Sequence, residues 1–224
     1  MKASDSATDW KKIDRFDDGI GWIAYPDETM QRASHAITDG DDVWLVDPVD
    51  ADGIDDLLAE YGEVAGVIIL LDRHKRDTAA LARRHDVSVW IPTFMESVAQ
   101  EIDAPVERFR HDLADTRFAV HELINNRFWT EAVLHDPDSG SLVVPEAVGT
   151  TSYFRTHTED LGVHPMLRMT PPRKLTRLEA NSIRVGHGSG INKATTEQLH
   201  SAVDGARRRA PHLVYKNVKN MVFS

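Results

Sequence analysis

Three short apolar runs, GWIAY (21–25), ASHAI (33–37) and VWLVD (43–47), open the chain, each bounded by Asp, Gly or Pro. Such runs predict β-strands, and the turn residues PDE after the first predict an antiparallel meander. Asp52 stands where a helix over 53–61 needs a cap. Ile54, Leu57, Leu58 and Tyr61 keep the helical period, and Gly62 ends it. VAGVIILL (64–71) is apolar almost throughout, as in a strand covered on both faces. It delivers Asp72-Arg73-His74-Lys75-Arg76-Asp77 at its C-terminal end, where open α/β sheets place chemistry.

The alternation continues with a helical stretch at 79–82, the strand VSVWIP (87–92), and Thr93 with Glu96 at capping-box spacing before FMESVAQEI (94–102). RFAVHEL (117–123), FWTEAVLHD (128–136) and SLVVPEAVG (141–149) return to strand patterning, the last two joined by the turn Pro137-Asp138-Ser139-Gly140 as a hairpin. SIRVGHG (182–188) reads as a strand entering a glycine-rich loop, and 193–210 as an amphipathic helix with Thr195 and Gln198 at a second capping box. Two β-rich halves, each followed by helices, predict an α+β fold: a four-layer αββα sandwich spanning 1–224 as one domain.

Composition narrows this picture without redirecting it. The 224 residues include no cysteine, which excludes disulfides and cysteine zinc sites, and 41% are hydrophobic, as in globular proteins. The start is polar and no window approaches the roughly 18 apolar residues of a membrane span, so the expected location is the cytoplasm. Asp outnumbers Glu 24 to 12 and Arg outnumbers Lys 18 to 8, a halophilic composition that keeps a surface hydrated. Residues 1–150 carry −17 and residues 151–224 carry +7, so the basic tail has an acidic partner within its own chain.

Four segments then line up, in order, with one family. VWLVDP, VIILLDRHKRDTAALARRHDVSVWIP, LHDPDSGSLVVPEAVG and SIRVGHGSG resemble the second-strand Asp, the metal loop with its flanking elements, the hairpin, and the terminal Gly-His loop of the metallo-β-lactamase superfamily. The resemblance covers most of the chain and implies the αββα fold. It also implies a hydrolytic centre in which a T-H-x-H-x-D-H loop, a later His, a bridging Asp and a last His hold two zinc ions around a hydroxide.

The ligand set is degenerate. One register of the loop supplies Asp72, His74, Arg76 and Asp77, the next Arg73, Lys75, Asp77 and Thr78, and neither contains two histidines. Asn125 to Arg127 replace the expected Gly-His, Glu146 replaces the bridging Asp, and only His187 keeps its family place. Arg73, Lys75 and Arg76 add positive charge where two dications would sit, and like charges repel by about 4 kcal/mol at about 4 Å for an effective dielectric near 20.

These residues lead to a pseudo-enzyme or binding module with no resident metal, its cleft relined by an Arg/Asp network in which Asp72 and Asp77 are held by Arg73, Arg76 or Arg184. Asp47 is placed to orient a loop residue. The enzymatic alternative is a hydrolase of altered site, with Glu146 and His187 as the catalytic pair and Arg73 and Arg76 binding an anionic ester or phosphoester. It acts either without metal or with one divalent ion (zinc, manganese or iron) on His74, Asp77, Glu146 and His187. A third reading docks a nucleic acid or protein on Arg207, Arg208, Arg209, Lys216 and Lys219, although the net charge of −10 opposes nucleic acid. GHGSG lacks the lysine of a phosphate-binding loop.

Overall fold

The computed structural model describes residues 6–223 and consists of two mixed sheets with flanking helices. β1 (Trp10–Phe16), β2 (Gly19–Ala24), β3 (Ala33–Asp39) and β4 (Asp42–Val46) form the antiparallel part of a seven-stranded sheet. β5 (Glu63–Ile68), β6 (Val89–Pro92) and β7 (Val106–Phe109) extend it in parallel. The short helices α1 (Ile54–Ala59), α2 (Thr78–Arg84) and α3 (Glu96–Ala99) supply the crossovers. β8 (Ala119–Asn126), β9 (Trp129–Asp136), β10 (Ser141–Val144) and β13 (Ser182–Val185) form the second sheet in the order β13-β10-β9-β8, while β11 (Val148–Gly149) pairs with β12 (Gly162–Val163).

Burial defines the layers. Leu57 and Leu58 of α1, Leu81 of α2, and Trp22, Ile37, Val67 and Ile68 of the first sheet share one core with Val120, Leu134 and Val143 of the second. The other face of the second sheet, through Leu142, Val144, Ile183 and Val185, packs on Leu199, Ala202, Val203 and Ala206 of the long helix α4 (Thr195–Phe223). This is the expected αββα sandwich. No described helix is long and apolar enough to cross a membrane.

The local departures have physical causes. Gly53, at φ 74°, occupies the N-cap of α1, while Asp52 accepts the Ser6 hydroxyl, so Asp52 is not the cap. Thr93 opens a single 3₁₀ turn and makes no cap bond, and the Glu96 side chain pairs with Arg108 rather than reaching back to Thr93. Thr195 donates to the Asn181 carbonyl and Gln198 to that of Lys193, so that pair is no capping box either. α4 also runs past Pro211: Ala206, Ala210 and Leu213 continue its buried stripe, and this packing outweighs the backbone hydrogen bond a proline removes.

The two sheets meet along one edge through backbone bonds. Ala132 N–H donates to Leu70 O at 2.8 Å and Asp72 N–H to Thr130 O at 3.1 Å, tying the 71–77 loop to β9. Ala33 N–H donates to Gly186 O at 2.9 Å and Gly188 N–H to Gln31 O at 3.0 Å, tying the start of β3 to the loop after β13.

Candidate functional site

His74, Glu146 and His187 converge at this edge from three distant parts of the chain. One donor atom from each lies within 4.8 Å of the others, and the residues are only 6%, 8% and 5% exposed. Asp47 positions the first of them. Its backbone takes φ 45°, rare outside glycine, and its carboxylate accepts Leu70 N–H at 3.0 Å through one oxygen and His74 Nδ1–H at 3.0 Å through the other. His74 Nε2 is thereby turned to Glu146 Oε2, 3.3 Å away.

His187 Nδ1 lies 2.9 Å from the carbonyl oxygen of Met30, which can only accept, so Nδ1 carries the proton and Nε2 the lone pair. That Nε2 is buried without a partner. Burial, with the charges of His74 and Arg76 adding to it, pushes the His187 pKa down to about 3, so the ring is neutral at ordinary pH. Phe154 stacks on it with ring centres 5.5 Å apart.

Glu146 is engaged on both oxygens: Oε2 by His74 and by Arg73 Nε at 3.4 Å, Oε1 by His164 Nε2 at 3.5 Å. Burial opposes its charge, but the hydrogen bond and charge of His74, assisted by His187 and Arg73, outweigh that and hold its pKa near 2. Its backbone is fixed from below by Glu131, which accepts Glu146 N–H and Ala147 N–H, each at 2.9 Å, and Trp129 Nε1–H at 2.6 Å. Burial pushes the Glu131 pKa up to about 7.

The loop cations disperse. Lys75 leaves the site to pair with Glu101 at 2.7 Å. Arg73 spans Asp72 at 3.6 Å and Glu146, its guanidinium 4.2 Å from the Trp129 ring centre. Arg76, at φ 35°, turns inward and donates to the carbonyls of Ala33, Asp47 and Gly186. The expectation that Arg76 holds Asp72 or Asp77 is corrected: its guanidinium bonds backbone carbonyls instead. Asp77 lies outside the cluster and accepts Asp50 N–H at 2.9 Å, and Arg184 pairs with Asp18 at 2.6 Å rather than with the loop.

Asp47 was legible from the sequence as an orienting residue. His164, Glu131 and the Met30 carbonyl were not, since a His before Pro165, a Glu in strand alternation and a backbone oxygen carry no motif. At the C-terminal end, Arg209 bonds Glu159 at 3.2 Å and Arg207 the Met169 carbonyl at 2.9 Å. The basic segment is thus partly spent on the chain's own fold.

The donor set decides what the edge can hold. Two zinc ions around a hydroxide require about six protein donors. Among the described residues the one cluster of metal-ligating side chains offers three. Two ions do not fit. One does: two imidazole nitrogens whose opposite ring nitrogens are anchored, plus a carboxylate held ionised, is a donor arrangement suited to a single borderline cation.

No protein-family model matches the sequence, and no curated protein matches it. Solved structures do. DIM-1 metallo-β-lactamase, in a crystal exposed to ceftazidime, is 14% identical with a TM-score of 0.62, covering 90% of this chain and 100% of that one. TMB-1, whose structure concerns substrate and inhibitor binding, is 11% identical with a TM-score of 0.63, covering 88% and 98%. VMB-1 at pH 5.5 is 8% identical with a TM-score of 0.60, covering 90% and 99%.

Proposed function

We propose that the chain is a binding module rather than a dinuclear hydrolase, and that the edge where His74, Glu146 and His187 meet takes one divalent cation. The observation that carries the reading is the buried, unpartnered Nε2 of His187 facing His74 and Glu146. A buried acceptor with no donor costs about 1–3 kcal/mol, a cost a bound cation removes. The near-complete burial of all three ligands favours retention of the ion over turnover, because a catalytic metal keeps an open coordination position.

Titration of chelator-treated protein with zinc and with manganese, followed by calorimetry and native mass spectrometry, tests the proposal. One equivalent per chain is expected, weakened about 100-fold or more in His187→Ala. Two equivalents, or none, overturn it.

A second reading, a one-metal or metal-free hydrolase, draws support from Arg73, whose side chain is 42% exposed beside Glu146 and could meet the anionic group of an ester or phosphoester. Turnover of a thioester, lactone or phosphodiester that disappears in His187→Ala would favour it over the binding module.

A further inference from the structure

A groove of about 790 Å³ lies beside β8, away from His74, Glu146 and His187, and more cations than carboxylates line it. Val120 and Leu123 form its apolar floor, 6% and 5% exposed, with the half-buried ring of Phe94 beside them. Three cations line it: Arg110, just past the end of β7, and Lys174 and Arg177 from the 3₁₀ turn Arg173–Arg177.

Several of the other arginines are committed to carboxylates. Arg117 is bonded to Asp39 and Asp136, Arg84 to Asp50 and Asp55, and Arg168 to Glu159. In the groove, Arg110 and Arg177 form no ion pair among the described residues, and Lys174 donates only to the carbonyl of Glu122, at 2.7 Å. The one carboxylate in the lining, Glu122, takes a hydrogen bond from Asn125. His121 also lines the groove, and its Nε2 is buried without a partner.

In a chain of net charge −10, three cations gather around an apolar floor with a single carboxylate among them, a local excess of positive charge that favours an anionic ligand. A concave apolar surface of this volume with a few convergent polar groups is the usual form of a small-molecule site. We infer that the groove beside β8 binds a small amphipathic anion, one carboxylate or phosphate head group on an apolar body. The head group meets Arg110, Lys174 and Arg177, and the body lies on Phe94, Val120 and Leu123. His121 Nε2 supplies a further polar contact within the groove.

The test uses the full chain at low ionic strength with 1-anilinonaphthalene-8-sulfonate, an anion on an aromatic body, as fluorescent probe. Saturable binding at one site is expected. It weakens by about tenfold in the double variant Lys174→Gln/Arg177→Gln, and again in Arg110→Gln, in line with the loss of charge-assisted contacts. Dodecanoate and dodecyl phosphate should displace the probe whereas dodecanol should not, and the tighter of the two acids identifies the head group. The substituted residues are exposed, so the variants should melt with the parent. The inference is overturned if no saturable binding occurs, if the double variant binds like the parent, or if dodecanol displaces as well as the acids. It is overturned equally if Met221→Ser, on the exposed end of α4, removes the signal and the groove variants do not.

Discussion

Asp47 and His74 meet at 3.0 Å across 27 residues of chain, and the carboxylate that receives the imidazole proton also receives the backbone N–H of Leu70. Asp47→Ala leaves both donors buried and unmet. Stability should fall by about 2–3 kcal/mol, and the affinity for one zinc ion by about 10–100-fold as the ring loses its orientation. Chemical denaturation and zinc titration of the variant measure the two effects; parental values in both would remove Asp47 from the site.

Arg76 fills the space behind the cluster and satisfies the carbonyls of Ala33, Asp47 and Gly186. Its charge also disfavours positive charge on His187. In Arg76→Ala the orphaned carbonyls should cost about 3 kcal/mol, yet zinc should bind more tightly because a competing cation is gone. Thermal melts with and without zinc separate the effects: a lower melting temperature without metal and a larger upshift with it are expected.

His35 and Asp14 form a compensating pair with Nδ1 and Oδ2 3.9 Å apart. Burial, then the charge of Arg184, pushes the His35 pKa from 6.5 down to about 3, so stability falls as pH drops below 6.5, where only the unfolded chain takes up that proton. Burial lifts the Asp14 pKa from 3.8 to about 6 against the opposing Gly190 N–H and Arg184, so the folded chain takes up this proton first and stability rises as pH drops from 6 to 3.8. The two slopes oppose each other across that window. Asp14→Asn should steepen the pH dependence of stability relative to the parent by about 1.4 kcal/mol per pH unit between roughly pH 6 and 4, readable from denaturation midpoints of both proteins in that range. A parental slope in Asp14→Asn would show the pair is not coupled in this way.

The end of α4 divides at Asn217. Leu213 is fully buried, Lys216 bonds the carbonyls of Ser152 and Arg155, and Asn217 bonds that of Tyr153 at 2.9 Å, whereas Val218 and Met221 are largely exposed. Deleting 218–224 should leave the melting temperature within about 2 °C of the parent, and deleting 211–224 should lower it by about 5–10 °C, as expected for loss of one buried leucine and its neighbouring bonds. Equal melting of the two truncations would contradict this division.

The central strands were legible because burial on one or both faces writes itself into the sequence as alternation or as an unbroken apolar run, as in VWLVD and VAGVIILL. β1 and β7 were not read as strands. They are the two edges of the seven-stranded sheet, and WKKIDRF and VERF leave half their positions to solvent, which blurs the period. His74, Glu146 and His187 could be named as candidates, but which of their atoms were free depended on Asp47, Met30 and His164, partners brought in by tertiary packing alone. The partners of Asp77 and Arg76 are hidden from the sequence for the same reason: the loop path sends the Asp77 carboxylate to a backbone N–H and the Arg76 guanidinium to backbone carbonyls instead of the cluster.

Gly186 bears on the radius of the ion that the edge could admit. Its N–H bonds Val144 O, its carbonyl receives Ala33 N–H and Arg76, and a β-carbon there would lie 2.0 Å from the Pro145 oxygen. The peptide beside His187 is therefore clamped against the strand end that carries Glu146, and a β-carbon would also press on the His74 ring at 3.3 Å. Donors fastened to such a rigid frame cannot spread to accommodate a large, many-coordinate ion. At the proposed site calcium, which prefers six to eight oxygens at about 2.3–2.6 Å, would lack ligands, whereas ions bound at about 2.0–2.2 Å would suit two imidazole nitrogens and one carboxylate. A side chain at Gly186 would meet the Pro145 oxygen and the His74 ring, and so would loosen that size discrimination only by breaking the clamp itself.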